Sequence, residues 1–332
     1  MQRLTTALVI VALVVAAGCS SSGSKGAVRP ATSATSRASS TVNTTTTTTR
    51  APSVSAQAAP FVLPGVRSGA AAVAQGGDVF LMGGQDAAKS STNTVWKIDV
   101  KDGTVAPDGT LTKALHDAGA AVLRNTIFVM GGGAGSQYDT VQRVTPGGAA
   151  MSVGVLPGPR SDVSVAAAGD SAYVVGGYDG AKDLGDVLVT TDGTTYRSLA
   201  ELAVPVRYGA VGVVGRTLWV VGGLRGNNDV RAVQRVDLDS GTVSEAAALP
   251  FTLAHATGFV VNGVLYVAGG RQNSQPSDQL YKLDPSTGAL VAVTKLPYAV
   301  LDAAAATVGP ATYLLGGRRD ANINQVAVIT VQ

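Results

Sequence analysis

The sequence predicts an all-β fold built from six copies of one four-stranded unit. The first observation is a short apolar run that ends in a glycine pair and occurs six times. The second is its spacing, since the first glycines of the pairs stand 48, 45, 46, 47 and 47 residues apart, at Gly83, Gly131, Gly176, Gly222, Gly269 and Gly316. The third is the shortness of each run, which favours a strand over a helix. A period of this size is typical of a repeat architecture.

Each repeat contains the pieces of one small antiparallel sheet. A run of small residues, such as 165–168, precedes most of the apolar runs and suits an innermost strand, where neighbouring sheets crowd around an axis. A polar loop follows the glycine pair and leads to a third strand, such as 95–99. A turn that contains glycine then leads to a fourth strand. Four short antiparallel strands per repeat predict a blade of a β-propeller.

These repeats resemble the kelch motif. The glycine pair after an aliphatic or aromatic triplet matches that motif, as do the Leu-Pro and Pro-Arg elements of the segment 156–161. The family's Tyr and Trp positions after the glycines are mostly replaced here. The resemblance extends from about residue 61 to residue 332 and implies a six-bladed kelch β-propeller.

The two ends of the repeat region complement each other. Residues 61–64 are similar to the segments that precede the other inner strands, so they predict a fourth strand that has no blade before it. The last repeat ends at residues 326–331, which predict a third strand. We therefore expect the N-terminal strand to complete the last blade, which removes exposed sheet edges.

Residues 1–19 are expected to be a signal peptide rather than part of the fold. Arg3 precedes an apolar stretch at 7–17, which is shorter than the roughly 20 residues of a membrane span. Residues 16–19 resemble a bacterial lipobox, with Ala16 where that motif has Leu. Cys19 is the only cysteine, so no disulfide can form within the chain, and we expect it to be the lipid attachment point. The alternatives are ordinary cleavage or an uncleaved anchor.

Residues 20–60 are rich in Ser, Thr, Ala and Pro and are expected to be a disordered linker. The N-terminal 60 residues contain no acid and five bases, which are Arg3, Lys25, Arg29, Arg37 and Arg50. Removing these five from the 25 basic residues leaves 20 against 22 acids in the propeller, a net charge of −2. The basic character therefore belongs to the N-terminal segment, and we expect no nucleic-acid partner.

Candidate ligand-binding residues lie in loops that emerge on one face of a propeller. Such loops carry function on repeat scaffolds. Before the inner strands stand Arg67, His116, Arg160, Arg207, His255 and Asp302. The loops after the glycine pairs add Tyr178, Arg225, Asn227, Arg271 and Arg318. The kelch resemblance implies that Arg67, Arg160 and Arg207 lie beside the central mouth. A ring of Arg, Asn and Tyr suits carboxylates or sugar hydroxyls, because guanidinium groups donate paired hydrogen bonds.

Metal and redox chemistry fit the sequence poorly. The only histidines, His116 and His255, belong to blades two and five, which face each other across a six-bladed ring and are too distant to share one ion. Kelch-fold galactose oxidases need copper and a cysteine-derived thioether, and the propeller has no cysteine. The only glutamates, Glu201 and Glu245, lie near fourth strands. We expect no metal and no cofactor, and we assign no catalytic residue.

The sequence thus predicts a lipid-anchored, extracytoplasmic, monomeric binding module for a protein or glycan of the cell envelope. Its ligand is expected at the loop face around the central channel. One alternative is a sugar-modifying enzyme, since some six-bladed bacterial kelch proteins are sialic-acid mutarotases. That alternative requires a general acid or base at the mouth, for which Asp117, Asp302, His116 and His255 could serve, although nothing in the sequence pairs them. The other alternative is an envelope scaffold without a defined pocket.

Overall fold

The computed structural model describes residues 53–332, which form six four-stranded antiparallel blades. The predicted signal peptide, Cys19 and the predicted linker up to residue 52 lie outside the described residues. Within residues 53–332 there is no helix long and apolar enough to cross a membrane. The all-β prediction is confirmed, because every regular element described is a strand.

The strands of each blade are given from the innermost strand outward. Blade 1 consists of Ala71–Gln75, Asp78–Met82, Thr92–Asp99 and Thr104–Leu115. Blade 2 consists of Gly119–Leu123, Thr126–Met130, Thr140–Val144 and Met151–Val155. Blade 3 consists of Ser164–Ala168, Ser171–Val175, Asp186–Thr190 and Arg197–Glu201.

The second half of the ring repeats this order. Blade 4 consists of Ala210–Val214, Thr217–Val221, Val233–Asp237 and Val243–Glu245. Blade 5 consists of Thr257–Val261, Val264–Ala268, Gln279–Leu283 and Leu290–Lys295. Blade 6 consists of Ala304–Val308, Ala311–Leu315, Gln325–Val331 and Val54–Val62. Gly148–Ala149 adds a short parallel strand to the outer edge of blade 1. Other two-residue strands lie between the blades, at Leu224–Arg225, Asn228–Asp229, Leu253–Ala254, Arg271–Gln272 and Gln275–Pro276.

The innermost strands form a closed circle around an axis. Each inner strand contacts the inner strand of the next blade, and that of blade 6 contacts that of blade 1. The apolar core lies between blades. At the joint of blades 6 and 1, for example, Leu81 and Trp96 share one buried cluster with Tyr313 and Leu315. The arrangement is the six-bladed propeller that the period predicts.

The N-terminal strand completes blade 6, as predicted, but it begins earlier than predicted. Val54 pairs with Val331, Ala58 with Ala327 and Val62 with Gln325. The strand therefore starts at Val54, and the predicted boundary of linker and propeller at residues 60 and 61 is wrong. The reason is that this outermost strand is half exposed, with alternating intermediate and exposed positions, so it carries little of the apolar signal that marks the inner strands.

The glycine pairs join each blade to the next one. In blade 3, the N–H of Gly177 donates to the carbonyl of Val206, which lies just before the inner strand of blade 4, at 3.0 Å. A Cβ atom on Gly176, whose φ is 57°, would collide with that same carbonyl oxygen. The equivalent hydrogen bond recurs at all six joints. The pair is conserved through the repeats because the backbones of neighbouring blades touch there.

The loops after the glycine pairs and the segments before the inner strands share one face. Isolated bridges join Ser161 to Tyr178 and Arg207 to Leu224 on that face. We call it the mouth face. The chain of the N-terminal strand begins on the opposite face, where Val331, the partner of Val54, lies beside the turn at Pro310.

Candidate functional site

Six residues, one from each blade, form a closed circle of backbone hydrogen bonds on the mouth face. Each N–H donates to the carbonyl of the preceding member at 2.7 to 3.1 Å, and the circle closes from Gly69 to Asp302. We call this circle the mouth ring; its members are Gly69, Asp117, Asp162, Tyr208, His255 and Asp302. It ties all six blades together at the axis.

Every member of the mouth ring has a left-handed backbone. The φ angles run from 52° to 60°, although five of the six residues carry a side chain. This conformation costs free energy for residues with a Cβ atom, and such strain is often retained at functional sites. All six residues line a cavity of about 180 Å³ at the axis. The strained ring thus places three Asp side chains, one Tyr and one His around one small cavity.

The glycine of the ring makes room for a carboxyl group from the next blade. A Cβ atom on Gly69 would collide with Oδ1 of Asp117. The Asp117 carboxyl therefore lies against Gly69, and it also accepts a hydrogen bond from the Tyr208 hydroxyl at 2.9 Å. Asp117 thus contacts ring members from the segments before blades 1 and 4.

His255 and Asp302 form the shortest side-chain contact within the ring. Nδ1 of His255 lies 2.6 Å from Oδ1 of Asp302, and Nε of Arg318 donates to Oδ2 of Asp302 at 2.5 Å. Burial alone raises the pKa of Asp302, but His255 and Arg318 more than offset this and lower it below its usual value. Asp302 is therefore a carboxylate near neutral pH. Because a carboxylate can only accept a hydrogen bond, the Nδ1–H of His255 is the donor in this contact.

The pKa of Asp117 is shifted in the opposite direction to that of Asp302. Burial, together with the nearby charges of Asp302 and Asp162, raises the pKa of Asp117 well above its usual value. Burial and the charges of Asp117, Asp162 and Asp302 raise the pKa of Tyr208, whose ring stacks on His255 with centroids 4.1 Å apart. One cavity thus contains two carboxyl groups whose pKa values are shifted in opposite directions.

Asp162 links the ring to a second depression on the mouth face. Arg207 donates from Nη1 to Oδ2 of Asp162 at 3.2 Å, lies 3.4 Å from Asp183, and covers the ring of Tyr178 at 4.5 Å. Beyond this arginine lies a groove of about 600 Å³ between the loops of blades 3 and 4. We call it the lateral groove; its polar side chains include Tyr178, Lys182, Arg225, Asn227 and Asn228.

Two of the predicted arginines do not lie at the mouth. Arg67 and Arg160 are only 7% and 3% exposed, and they stand where the other four blades have Leu115, Val206, Leu253 and Val300. Arg67 stacks on Trp96 at 4.2 Å, and Arg160 forms two hydrogen bonds of 2.9 Å with Asp186. Arg67 and Arg160 precede the position of Arg207 by one residue and point into the blade joints, so the structure does not support the expectation that they lie beside the central mouth.

The remaining predicted residues divide between the ring and its surroundings. His255 and Asp302 are ring members, Arg318 binds Asp302, and Arg207, Tyr178, Arg225 and Asn227 line the lateral groove. Arg271 lies in an adjoining recess and pairs with Asp229 at 2.6 Å. His116 lies outside the cavity lining; its Nδ1 contacts the Ser91 hydroxyl at 2.8 Å, and burial lowers its pKa.

No group of three His, Cys, Asp or Glu side chains within residues 53–332 has an arrangement that would hold a metal ion. From the sequence, Asp117 is named only as a candidate acid or base, and two ring members, Asp162 and Tyr208, are missed. A signal for them exists in the repeat. Each ring member stands 14 residues before the first glycine of its pair, as in 69 and 83 or 302 and 316.

Comparisons with known proteins agree with this architecture. A family model described as Kelch motif matches residues 67–106 and 253–289. "Kelch repeat protein M-T8" of Myxoma virus (strain Lausanne) is 32% identical over 166 residues, which cover 47% of this chain and 32% of the viral protein. The chain thus aligns with about a third of that relative's length. These matches support the kelch-repeat resemblance.

A solved structure shows the same fold. The chain titled "Structure of YjhT" superposes with a TM-score of 0.69 over 82% of this chain and 99% of that one. Its sequence identity is 14%, so the likeness concerns the fold alone. The chain is an all-β propeller with kelch motifs.

Proposed function

We propose that this protein is a lipid-anchored, extracytoplasmic binding module that takes a protein or glycan of the cell envelope at its mouth ring. The observation that carries the proposal is the convergence of five polar or aromatic side chains on one axial cavity through a strained, closed backbone ring. A scaffold without a ligand has no use for such strain, because six glycines or asparagines would close the ring at lower cost.

The mouth suits a polar ligand. Its side chains offer carboxyl, imidazole and phenol groups, which recognise hydroxyls and amides by hydrogen bonds. The large apolar side chains that are most exposed among residues 53–332 lie away from it, in outermost strands, and are Val62, Met151, Val155 and Val291. A sugar or a polar peptide segment therefore fits the mouth better than an apolar partner.

The anchored location rests on the sequence. Residues 1–19 resemble a lipoprotein signal peptide, and Cys19 is the proposed attachment point for the lipid. Val54, where the described strand begins, lies on the face opposite the mouth. That position suits a tether that leaves the mouth open to a ligand.

A sugar-modifying enzyme, such as a mutarotase-like isomerase, is a second candidate. The observation that favours it is the presence in one cavity of Asp117, whose pKa is raised, and of the Asp302–His255 pair, in which the pKa of Asp302 is lowered. A base that removes the anomeric hydroxyl proton and an acid that protonates the ring oxygen would open a hemiacetal to its carbonyl form, and the reverse step would close it on the other face. This candidate predicts that Asp117→Asn abolishes anomer exchange of a bound sugar while leaving its affinity unchanged.

The test of the binding function is capture from native envelope extract by the full-length protein. The mouth variant Asp162→Asn with Tyr208→Phe alters two ring members with almost no change in shape. Its matched control is Asp192→Asn with Tyr196→Phe, the same two chemical changes in a turn of blade 3 on the opposite face. We expect the mouth variant to retain less than about a tenth of the ligand, since each lost hydrogen bond contributes about 1 kcal/mol. Equal capture by all three proteins, or capture by none, would refute the proposal.

A further inference from the structure

The lateral groove contains two cations that form no close ion pair among residues 53–332. Arg207 is neutralised by Asp162 and Asp183, and Arg271 in the adjoining recess is neutralised by Asp229. Lys182 and Arg225 lie in the groove wall, and neither has a carboxylate oxygen within 4.0 Å among residues 53–332. The groove therefore offers two positive charges to an incoming anion.

The acidic residues nearest to these cations are engaged elsewhere. Oδ1 of Asp179 accepts hydrogen bonds from the N–H groups of Ala181 and Lys182, both at 2.8 Å. Oδ2 of Asp183 accepts from the N–H of Gly226 at 2.5 Å, and this carboxylate also faces Arg207. The N–H groups of Lys182 and Ala181, together with the charge of Lys182, lower the pKa of Asp179. Both carboxylates hold the loops in place, so the groove is a preformed depression.

The other groups of the groove indicate what kind of anion fits. The amide side chains of Asn227 and Asn228 can both donate and accept, which suits hydroxyl groups. The nonpolar surface of the lining comes from Ala181, Pro205 and the ring of Tyr178, which Arg207 covers, so a large apolar anchor of a peptide partner would meet few nonpolar side chains. A guanidinium beside an ammonium group suits a carboxylate, to which Arg225 can donate two parallel hydrogen bonds.

The lateral groove and the axial cavity share a wall. Arg207 lines the groove, and it is bonded to Asp162, which lines the cavity. The two depressions differ in charge. The cavity contains three carboxyl groups, which disfavour a further anion, whereas the groove lining contains three cations, Lys182, Arg207 and Arg225, and one carboxylate, Asp183. A ligand that spans both would place uncharged hydroxyls at the axis and its acid group in the groove.

We infer that the lateral groove binds the carboxylate of an acidic saccharide whose neutral part enters the mouth ring. Lys182 and Arg225 bind the carboxylate, and Asn227 and Asn228 bind neighbouring hydroxyls. This inference rests on the proposed binding function, since it names the ligand class of the same face.

The test uses an immobilised panel of uronate- and sialate-bearing oligosaccharides, each beside its carboxyl-reduced counterpart, probed with the full-length protein. We expect at least one acidic glycan to bind about ten-fold more tightly than its reduced form, with affinity that falls as salt is added. The variant Lys182→Gln with Arg225→Gln should lose at least ten-fold in affinity for that glycan. The control Lys101→Gln with Arg197→Gln removes two exposed cations elsewhere and should bind as the wild type does.

The inference is overturned if no acidic glycan binds, if reduced forms bind equally well, or if the groove variant binds unchanged. These outcomes are distinguishable from failure of the proposed function. A neutral glycan or a protein that is lost in the Asp162→Asn, Tyr208→Phe variant would preserve the mouth as a binding site while ending the carboxylate inference. If no ligand depends on either depression, both proposals fail.

Discussion

Nδ1 of His255 lies 2.6 Å from Oδ1 of Asp302, and these two residues are adjacent members of a ring that crosses six blades. They come from segments 47 residues apart in the chain. Arg318 holds the other oxygen of Asp302, so the carboxylate is bound on both sides. The blade joint between the fifth and sixth repeats therefore depends on a polar contact at the place where a ligand is proposed to bind.

Asp302→Asn should destabilise the protein. The substitution removes the negative charge that both His255 and Arg318 contact, and hydrogen bonds to charged groups contribute about 1.5 to 3 kcal/mol. We expect the free energy of unfolding at neutral pH to fall by about 2 kcal/mol in urea denaturation. The control is Asp239→Asn, whose partner Arg216 is 69% exposed, and there the loss should be below about 1 kcal/mol. Equal losses in both variants would contradict the role given to Asp302.

Asp117 and Asp302 should respond to pH in opposite directions. The folded state raises the pKa of Asp117, so its contribution to stability is full below the unfolded value of about 4 and is lost as pH rises through the folded pKa. The folded state lowers the pKa of Asp302, so its contribution is present above about 4 and is lost as pH falls through the folded pKa.

Urea denaturation of two variants at about pH 3 and about pH 7 checks these signs. The free energy of unfolding of Asp117→Asn, taken relative to that of the wild type, should increase as pH rises, by up to about 1.4 kcal/mol for each unit of pKa shift. The relative free energy of unfolding of Asp302→Asn should decrease over the same range. Parallel pH dependence in the two variants would mean that the carboxyl groups do not differ in protonation.

Arg160 should act on stability and not on ligand binding. Arg160→Ala leaves Asp186 without its partner and opens a space in a blade joint, so we expect a loss of about 3 kcal/mol. Arg160→Leu should cost less, because four other blades have an aliphatic residue at this position. Thermal unfolding and envelope capture should be measured on both variants. A stable Arg160→Leu protein that no longer captures its ligand would restore this arginine to the binding site.

The first residues of the N-terminal strand, which closes the ring, should contribute to thermal stability. Val54–Ala58 supplies five of the six residue pairs that join the N-terminal strand to the last repeat. A chain that starts at residue 61 should therefore unfold at least about 6 °C below one that starts at residue 53, since 1 kcal/mol shifts the midpoint by about 2–4 °C in a large domain. Both proteins lack the N-terminal residues that the structure does not describe. Unchanged thermal unfolding of the shorter chain would show that the ring closes without this strand.

The sequence predicts the propeller well because its strongest constraints are periodic. The glycine pairs must accept a neighbouring backbone at every joint, so they recur in all six repeats and set the register of the blades. Closure of the last blade by the N-terminal strand follows from counting strands. The start of that strand at Val54 does not, because a half-exposed outer strand tolerates polar residues and lacks a distinctive pattern.

The site is less predictable because one residue of register decides which way a side chain points. Arg160 and Arg207 look equivalent beside their inner strands, yet Arg160 aligns with Val206 and is buried. The ring members share a position in the repeat but have no common chemistry, since they range from Gly69 to Tyr208 and Asp302. Their grouping emerges only when every repeat is aligned to its glycine pair and the six positions are seen to meet at the axis.

The central claim is that the mouth ring binds a ligand, and capture from native envelope extract tests it most directly. The quantity to measure is the amount of ligand retained by the wild type, by Asp162→Asn with Tyr208→Phe, and by Asp192→Asn with Tyr196→Phe. The account predicts retention by the wild type and by the opposite-face control, with at least a ten-fold loss in the mouth variant. Retention of the same ligand by all three proteins would contradict it.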